Sequence, residues 1–158
     1  MIVFEKLASQ VNLEKIKEVT TNRQDAMRGR VRTKLNEAED LVINLPRGQP
    51  IRQGDIFGPS EKGDYYKIVI EPELVIKVTL NESHGDDVIE KAAKLGYNLG
   101  NRHLEVLIED NAVFVPVTIG EEKVRKILES MKLPITFESI QKVISMSSLG
   151  YHAGEEEE

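Results

Sequence analysis

The chain has 158 residues, 40% of them hydrophobic, and a formal net charge of −6. That is enough apolar content for one core or two small ones, and no apolar stretch approaches the roughly 18 residues of a membrane span. The acidic balance argues against general nucleic-acid binding. The absence of cysteine removes disulfides and thiolate metal sites together. The first residues, Met1-Ile2-Val3-Phe4-Glu5-Lys6, lack the basic region and long apolar core of a secretory leader, so the expected compartment is the cytoplasm.

Taken in chain order, the first half is a series of short β-rich segments set off by Gly and Pro. They fall at residues 2–7, 16–21, 27–35, 41–45 and 66–71, with a helical turn as an alternative at 11–17. This pattern predicts a small all-β domain over residues 1–72. Glu71-Pro72-Glu73 then interrupts two hydrophobic runs. Proline cannot donate to a sheet ladder, so it suits a link between domains.

Beyond the link, residues 74–80 form a β-branched strand. Residues 86–99 read as a helix, with Asp86 and Asp87 at its positive end and Val88, Ile89, Ala92, Ala93 and Gly96 as its buried face. Strands at 104–109 and 112–117 are joined by Asp110-Asn111, a hairpin signal. Thr118-Ile119-Gly120-Glu121 matches a capping box, and Val124, Ile127, Leu128 and Met131 fall on one face of the helix that follows. Pro134 ends that helix, and a last strand runs over 135–143. The order β-α-β-β-α-β predicts a ferredoxin-like domain over 73–144. The fold class is therefore α+β. A flexible tail is expected over 145–158, small and polar and ending in four glutamates.

Three residues could offer imidazole: His84, His103 and His152. Neutral imidazole suits nickel, copper and zinc. His84 lies in the Glu82-Ser83-His84-Gly85 loop and reads as an exposed loop residue. His103 stands where the small-residue helix gives way to a strand. Period-two geometry places it with Glu105, Leu107 and Glu109, opposite Leu104, Val106 and Ile108. One imidazole cannot hold a metal firmly, whereas two copies related by a two-fold axis can bring the same residue together. His152 sits in the tail beside Tyr151, where it could add a ligand at an entropic cost.

Arg28, Arg30, Arg32 and Lys34 alternate with Gly29, Val31, Thr33 and Leu35. A strand would put all four cations on one face. That face is either simply solvated or docks an acidic protein surface. Interleaved aromatics for nucleic acid are missing. Catalytic signatures are missing too. The Gly58 to Gly63 segment has no following Lys-Ser/Thr, and neither Gly-x-Ser-x-Gly nor His-Glu-x-x-His occurs.

The heptapeptide Tyr97-Asn98-Leu99-Gly100-Asn101-Arg102-His103 resembles the signature of the UreE family of urease accessory proteins, which are nickel metallochaperones. Leu45-Pro46-Arg47-Gly48, Gly54-Asp55, Arg28-Gly29-Arg30-Val31-Arg32 and Gly150-Tyr151-His152 are similar to further family segments. The resemblance implies a non-enzymatic homodimer. It implies a central His103 pair that binds Ni2+ as cargo, with Zn2+ or Cu2+ able to substitute. It implies that the first domain binds a peptide or partner. It also implies urease apoprotein and other accessory proteins, including the accessory GTPase, as partners, with no nucleic acid and no membrane. The chain departs from the family in ending in glutamates rather than a histidine-rich run, and in carrying Asn98 where relatives often have histidine. The alternative is a chaperone-like interaction module in which His103 has no metal role.

Overall fold

The computed structural model describes residues 1–81 and 87–144. The fold is mixed α+β, with three sheets and three α-helices among these residues. The chain divides into two compact units. The first holds Met1–Pro72 and, among the described residues, Val143 and Ile144; the second holds Glu73–Lys142. No helix among the described residues is long and apolar enough to cross a membrane.

The first unit runs β1 (Ile2–Phe4), a 3-10 turn (Leu13–Lys15), β2 (Ile16–Thr21), α1 (Arg23–Arg28), β3 (Arg30–Lys34), β4 (Asp40–Asn44), β5 (Ile56–Phe57) and β6 (Tyr65–Ile70). These strands form two three-stranded sheets of the same plan. In β1-β4-β3 the first pair is parallel and the second antiparallel; β2-β6-β5 repeats this. Alternation along each strand sends Val31, Leu41, Ile43, Val19, Ile68 and Ile70 inward, where they form one core with Ile51, Phe57 and Tyr66.

One break departs from the sequence pattern. Residues 27–35 are not a single strand, because α1 ends at Arg28 and Gly29 separates it from β3. Asn22 starts the helix, its side-chain oxygen accepting from the Asp25 N–H at 2.8 Å. Gly29 ends it in the left-handed region, at φ 69°. A Cβ at Gly29 would also collide with the Gln49 carbonyl oxygen, so the position is closed to any side chain.

The second unit runs β7 (Glu73–Leu80), α2 (Asp87–Asn101), β8 (Leu107–Glu109), β9 (Ala112–Pro116), α3 (Glu121–Ser130) and β10 (Ile135–Lys142). Its antiparallel sheet has the order β10-β7-β9-β8. Leu95 and Leu99 of α2 and Val124 and Leu128 of α3 share one core with Ile76, Val78 and Val115. Both helices therefore cover the same face of the sheet. The β8–β9 hairpin turns at Asp110 and Asn111, with φ of 51° and 59°, the paired left-handed residues of a tight hairpin turn.

Three expectations for this unit are overturned. The buried face of α2 is Leu95 and Leu99; Val88, Ile89, Ala92, Ala93 and Gly96 are exposed. Two leucines one turn apart bury more apolar surface than a row of alanines and glycine, at about 1.5–3 kcal/mol per buried leucine, and they set the rotation of the helix. The strand expected from residue 104 begins only at Leu107, in the opposite phase. Leu107 is buried and Ile108 is 74% exposed; the turn that closes α2 runs to His103, and residues 104–106 belong to neither helix nor strand. The capping box does not form. The cap of α3 is Gly120, with no side-chain bond, and Glu121 is taken up by Ser139 and Arg125.

Candidate functional site

His103 lies at the end of α2, not in a strand. The Leu104 N–H bonds back to the Leu99 carbonyl at 3.1 Å, and the His103 N–H to the Gly100 carbonyl at 3.0 Å. His103 itself is left-handed, at φ 56°. These features define the turn that most often closes a helix, with a left-handed residue followed by an apolar one that packs back on the last turn. Leu104 and Leu99 both sit in the core of the unit. The imidazole between them is exposed.

Upstream of His103 the exposed side of α2 carries Ile89, Ala93, Gly96 and Gly100, spaced by four, three and four residues. His103 continues the row at the next three. Ile89 is 75% exposed and Tyr97, beside the row, 73%. Gly96 and Gly100 are helical, and a Cβ at either would meet nothing within 4 Å. A mid-helix glycine costs roughly 1 kcal/mol relative to alanine, and no crowding within the described chain requires either one. Ile108 is a further exposed apolar residue of this unit. It pairs with Val113, and Val113 packs into the core on the helix side of the sheet.

Among the described residues of one chain His103 does not complete a metal site. Among the described residues no three His, Asp or Glu side chains come together in a way that could hold an ion. The donor chemistry fits a borderline metal, but a single copy supplies one nitrogen at this position. His84 and His152 lie outside the described residues.

The basic strip is partly reassigned. Arg30, Arg32 and Lys34 project from the exposed side of β3, a strand at the edge of its sheet. Arg28 is the last residue of α1 and does not share their alternation. Among the described residues the strip makes one ion pair, Arg32 to Asp40 at 3.5 Å. Arg28, Arg30 and Lys34 remain open to a partner.

The other motifs of the first unit are turn chemistry. In Leu45-Pro46-Arg47-Gly48, the Leu45 N–H bonds to the Gly29 carbonyl at 2.9 Å, and Gly48 takes φ 85° in a turn closed from Gln49 to Pro46 at 3.1 Å. In the Gly54-Asp55 pair, Gly54 takes φ 87° and the Asp55 carboxylate accepts from the Arg52 N–H at 2.8 Å. Gly48, Gly54 and Asp55 shape the backbone here, and Arg47 is exposed. The exposed row on α2 does leave one signal in the sequence: Leu95 and Leu99 are the only leucines in the helix, so the opposite side must face out.

An exposed imidazole held at a helix end, beside an apolar helix face and on a small α+β protein, defines a binding protein more readily than a catalyst. No protein-family model matches the chain. The chain is similar to the urease accessory protein UreE of Prochlorococcus marinus (strain MIT 9312), 26% identical over 117 residues, covering 74% of this chain and 71% of the relative. It is similar to UreE of Yersinia bercovieri, 25% identical over 134 residues, covering 80% of this chain and 59% of the relative. UreE of Yersinia enterocolitica is 25% identical over 165 residues, covering 94% of this chain and 72% of the relative. The chain thus spans between 59% and 72% of the length of these relatives. At this level of identity they support the family suggested by the residues around His103. Each of these relatives is named a urease accessory protein.

Proposed function

We propose that the protein is a nickel metallochaperone of urease maturation. It binds Ni2+ between the His103 imidazoles of two copies and passes the ion on without a reaction of its own. The observation that carries this reading is the placement of His103, an exposed imidazole on a left-handed residue at the end of an uncovered glycine-bearing helix face. Glycines at 96 and 100 let a second backbone approach closely. In a two-fold dimer each residue near the axis meets its own copy. His103 lies three residues beyond Gly100, about 4.5 Å further along a helix axis, so α2 helices that meet at the glycines would bring the two imidazoles together. Zn2+ or Cu2+ would compete for the same nitrogens, and His152 would add a ligand from the C-terminal segment.

In this reading the ferredoxin-like second unit, followed by the acidic tail, handles the metal and the dimer. The first unit handles partners through Arg28, Arg30, Arg32 and Lys34. Those partners are the urease apoprotein and other accessory proteins, including the accessory GTPase, in the cytoplasm. The name shared by the relatives supports the urease connection. Nickel titration calorimetry on the wild type and on His103→Gly tests it. One tight ion per two chains is expected, lost in the variant; one tight ion per chain that survives the substitution would sink the shared site.

A further inference from the structure

His103 occupies a position that favours glycine. At φ 56° a side-chain-bearing residue is strained, and glycine is the residue that most often closes a helix in this way. Asp110 and Asn111 are also left-handed, but short Asp and Asn side chains tolerate that region well. Lys132 after α3 is left-handed at φ 52°, so a positive φ alone carries no argument. What sets His103 apart is the clasp around it. The Leu104 N–H reaches the Leu99 carbonyl, and Leu99 and Leu104 are both packed in the core, at 0% and 9% exposure. The backbone at 103 cannot relax without drawing Leu104 out of that core.

The geometry points to Leu104 as a positioning residue. Its burial locks the left-handed turn and so fixes the direction in which the His103 imidazole leaves the end of α2. With the backbone fixed, only the two side-chain torsions of His103 remain to be ordered when it takes a ligand. That lowers the cost of binding in the way pre-organised sites do. The inference rests on the nickel reading of His103 and extends it. The site uses one backbone direction, and an imidazole elsewhere on the same helix end does not replace it.

The test moves the imidazole by one residue. The full-length chain carrying Arg102→His together with His103→Gly keeps an imidazole at the helix end and gives the left-handed position its preferred residue. It is compared with wild type, with His103→Gly alone, with Leu104→Ala, and with Leu104→Met, which keeps an apolar side chain in the clasp. Nickel titration and the nitrogen hyperfine pattern of bound Cu2+ are read beside the melting temperature. The double variant is expected to melt above wild type, yet to bind nickel at least tenfold more weakly and to lose the wild-type copper pattern. Leu104→Ala, which empties the clasp, is expected to weaken nickel binding and broaden the copper pattern while His103 is kept, and Leu104→Met to restore both; unchanged binding in Leu104→Ala would overturn the role of Leu104. Wild-type affinity and pattern in the double variant would overturn the inference while leaving the nickel site standing. Tight nickel binding by His103→Gly alone would remove the site and the inference together.

Discussion

Glu121 opens α3 by bonding across to the sheet instead of capping its own helix. The Ser139 hydroxyl donates to its carboxylate, Arg125 Nε donates to the same oxygen at 3.3 Å, and Arg125 also donates to Ser139 at 2.6 Å while lying over the Phe137 ring. The Ser139 hydrogen bond, aided by Arg125 and opposed by partial burial, holds the Glu121 carboxyl below the usual glutamate value. A carboxyl lowered in the folded state contributes its stability above the unfolded value, and that stability is lost as pH falls through the folded one. Ser139→Ala should therefore raise the Glu121 titration midpoint and shrink the acid-side slope of stability attributable to it. NMR titration of the side-chain carboxyl carbon checks this, and an unmoved midpoint would show that Ser139 is not the cause.

At the scale of elements, α2 has one face committed to the core and another facing solvent. Gly96→Leu adds helix propensity, and a Cβ at 96 meets nothing within 4 Å among the described residues, so the fold should survive. If α2 joins two copies, the same substitution should shift the protein to monomer in sedimentation analysis, with the melting profile retained. A dimer of unchanged affinity would move the interface elsewhere. The exposed edge of β3 makes a separate claim. Arg30→Glu with Arg32→Glu should weaken binding to an acidic partner such as another urease assembly protein, and leave nickel titration as in wild type. Parallel loss of both would argue against a division of labour between the units.

How far these elements are legible in the sequence follows from what fixes each one. Residues 16–21, the Asp110-Asn111 turn and the Val124–Leu128 face of α3 can be read because local chemistry and core packing agree there. The rotation of α2 cannot be read from its small residues, which suggest a buried face, because Leu95 and Leu99 outweigh them. The start of β3 is hidden because a single glycine, Gly29, both ends a helix and precedes a strand. The identity of His103 as the candidate site residue is legible from the surrounding sequence. Its backbone conformation is not, since it depends on Leu104 reaching the core and no period in the sequence records that.

For the whole molecule, the proposed shell around the nickel draws on the segment beyond the described residues. Deleting residues 150–158 removes His152 and the four closing glutamates but no residue of either core cluster. Fold and dimer should persist. If His152 completes the shell, nickel affinity should fall by something on the order of 10–100-fold, the range seen when supporting groups around a metal are lost. His152→Ala should reproduce the fall, and removal of Glu155 to Glu158 alone should not. Unchanged affinity after truncation would take His152 out of the site.

The pairing of β7 with β10 has a consequence for how the chain can be cut. Glu73 and Lys142 are register partners, so the second unit enters and leaves through neighbouring strands, with backbones about 5 Å apart. Val143 and Ile144 then belong with the first unit, and Ile144 is fully buried. In topological terms, among the described residues, 73–142 are a cassette set into the chain of the first unit. A link of two or three residues from Pro72 to Val143 would span the gap left by excising them, and the first unit would keep Val143 and Ile144. A chain cut short at Pro72 would lose Val143 and Ile144, which belong to the first unit.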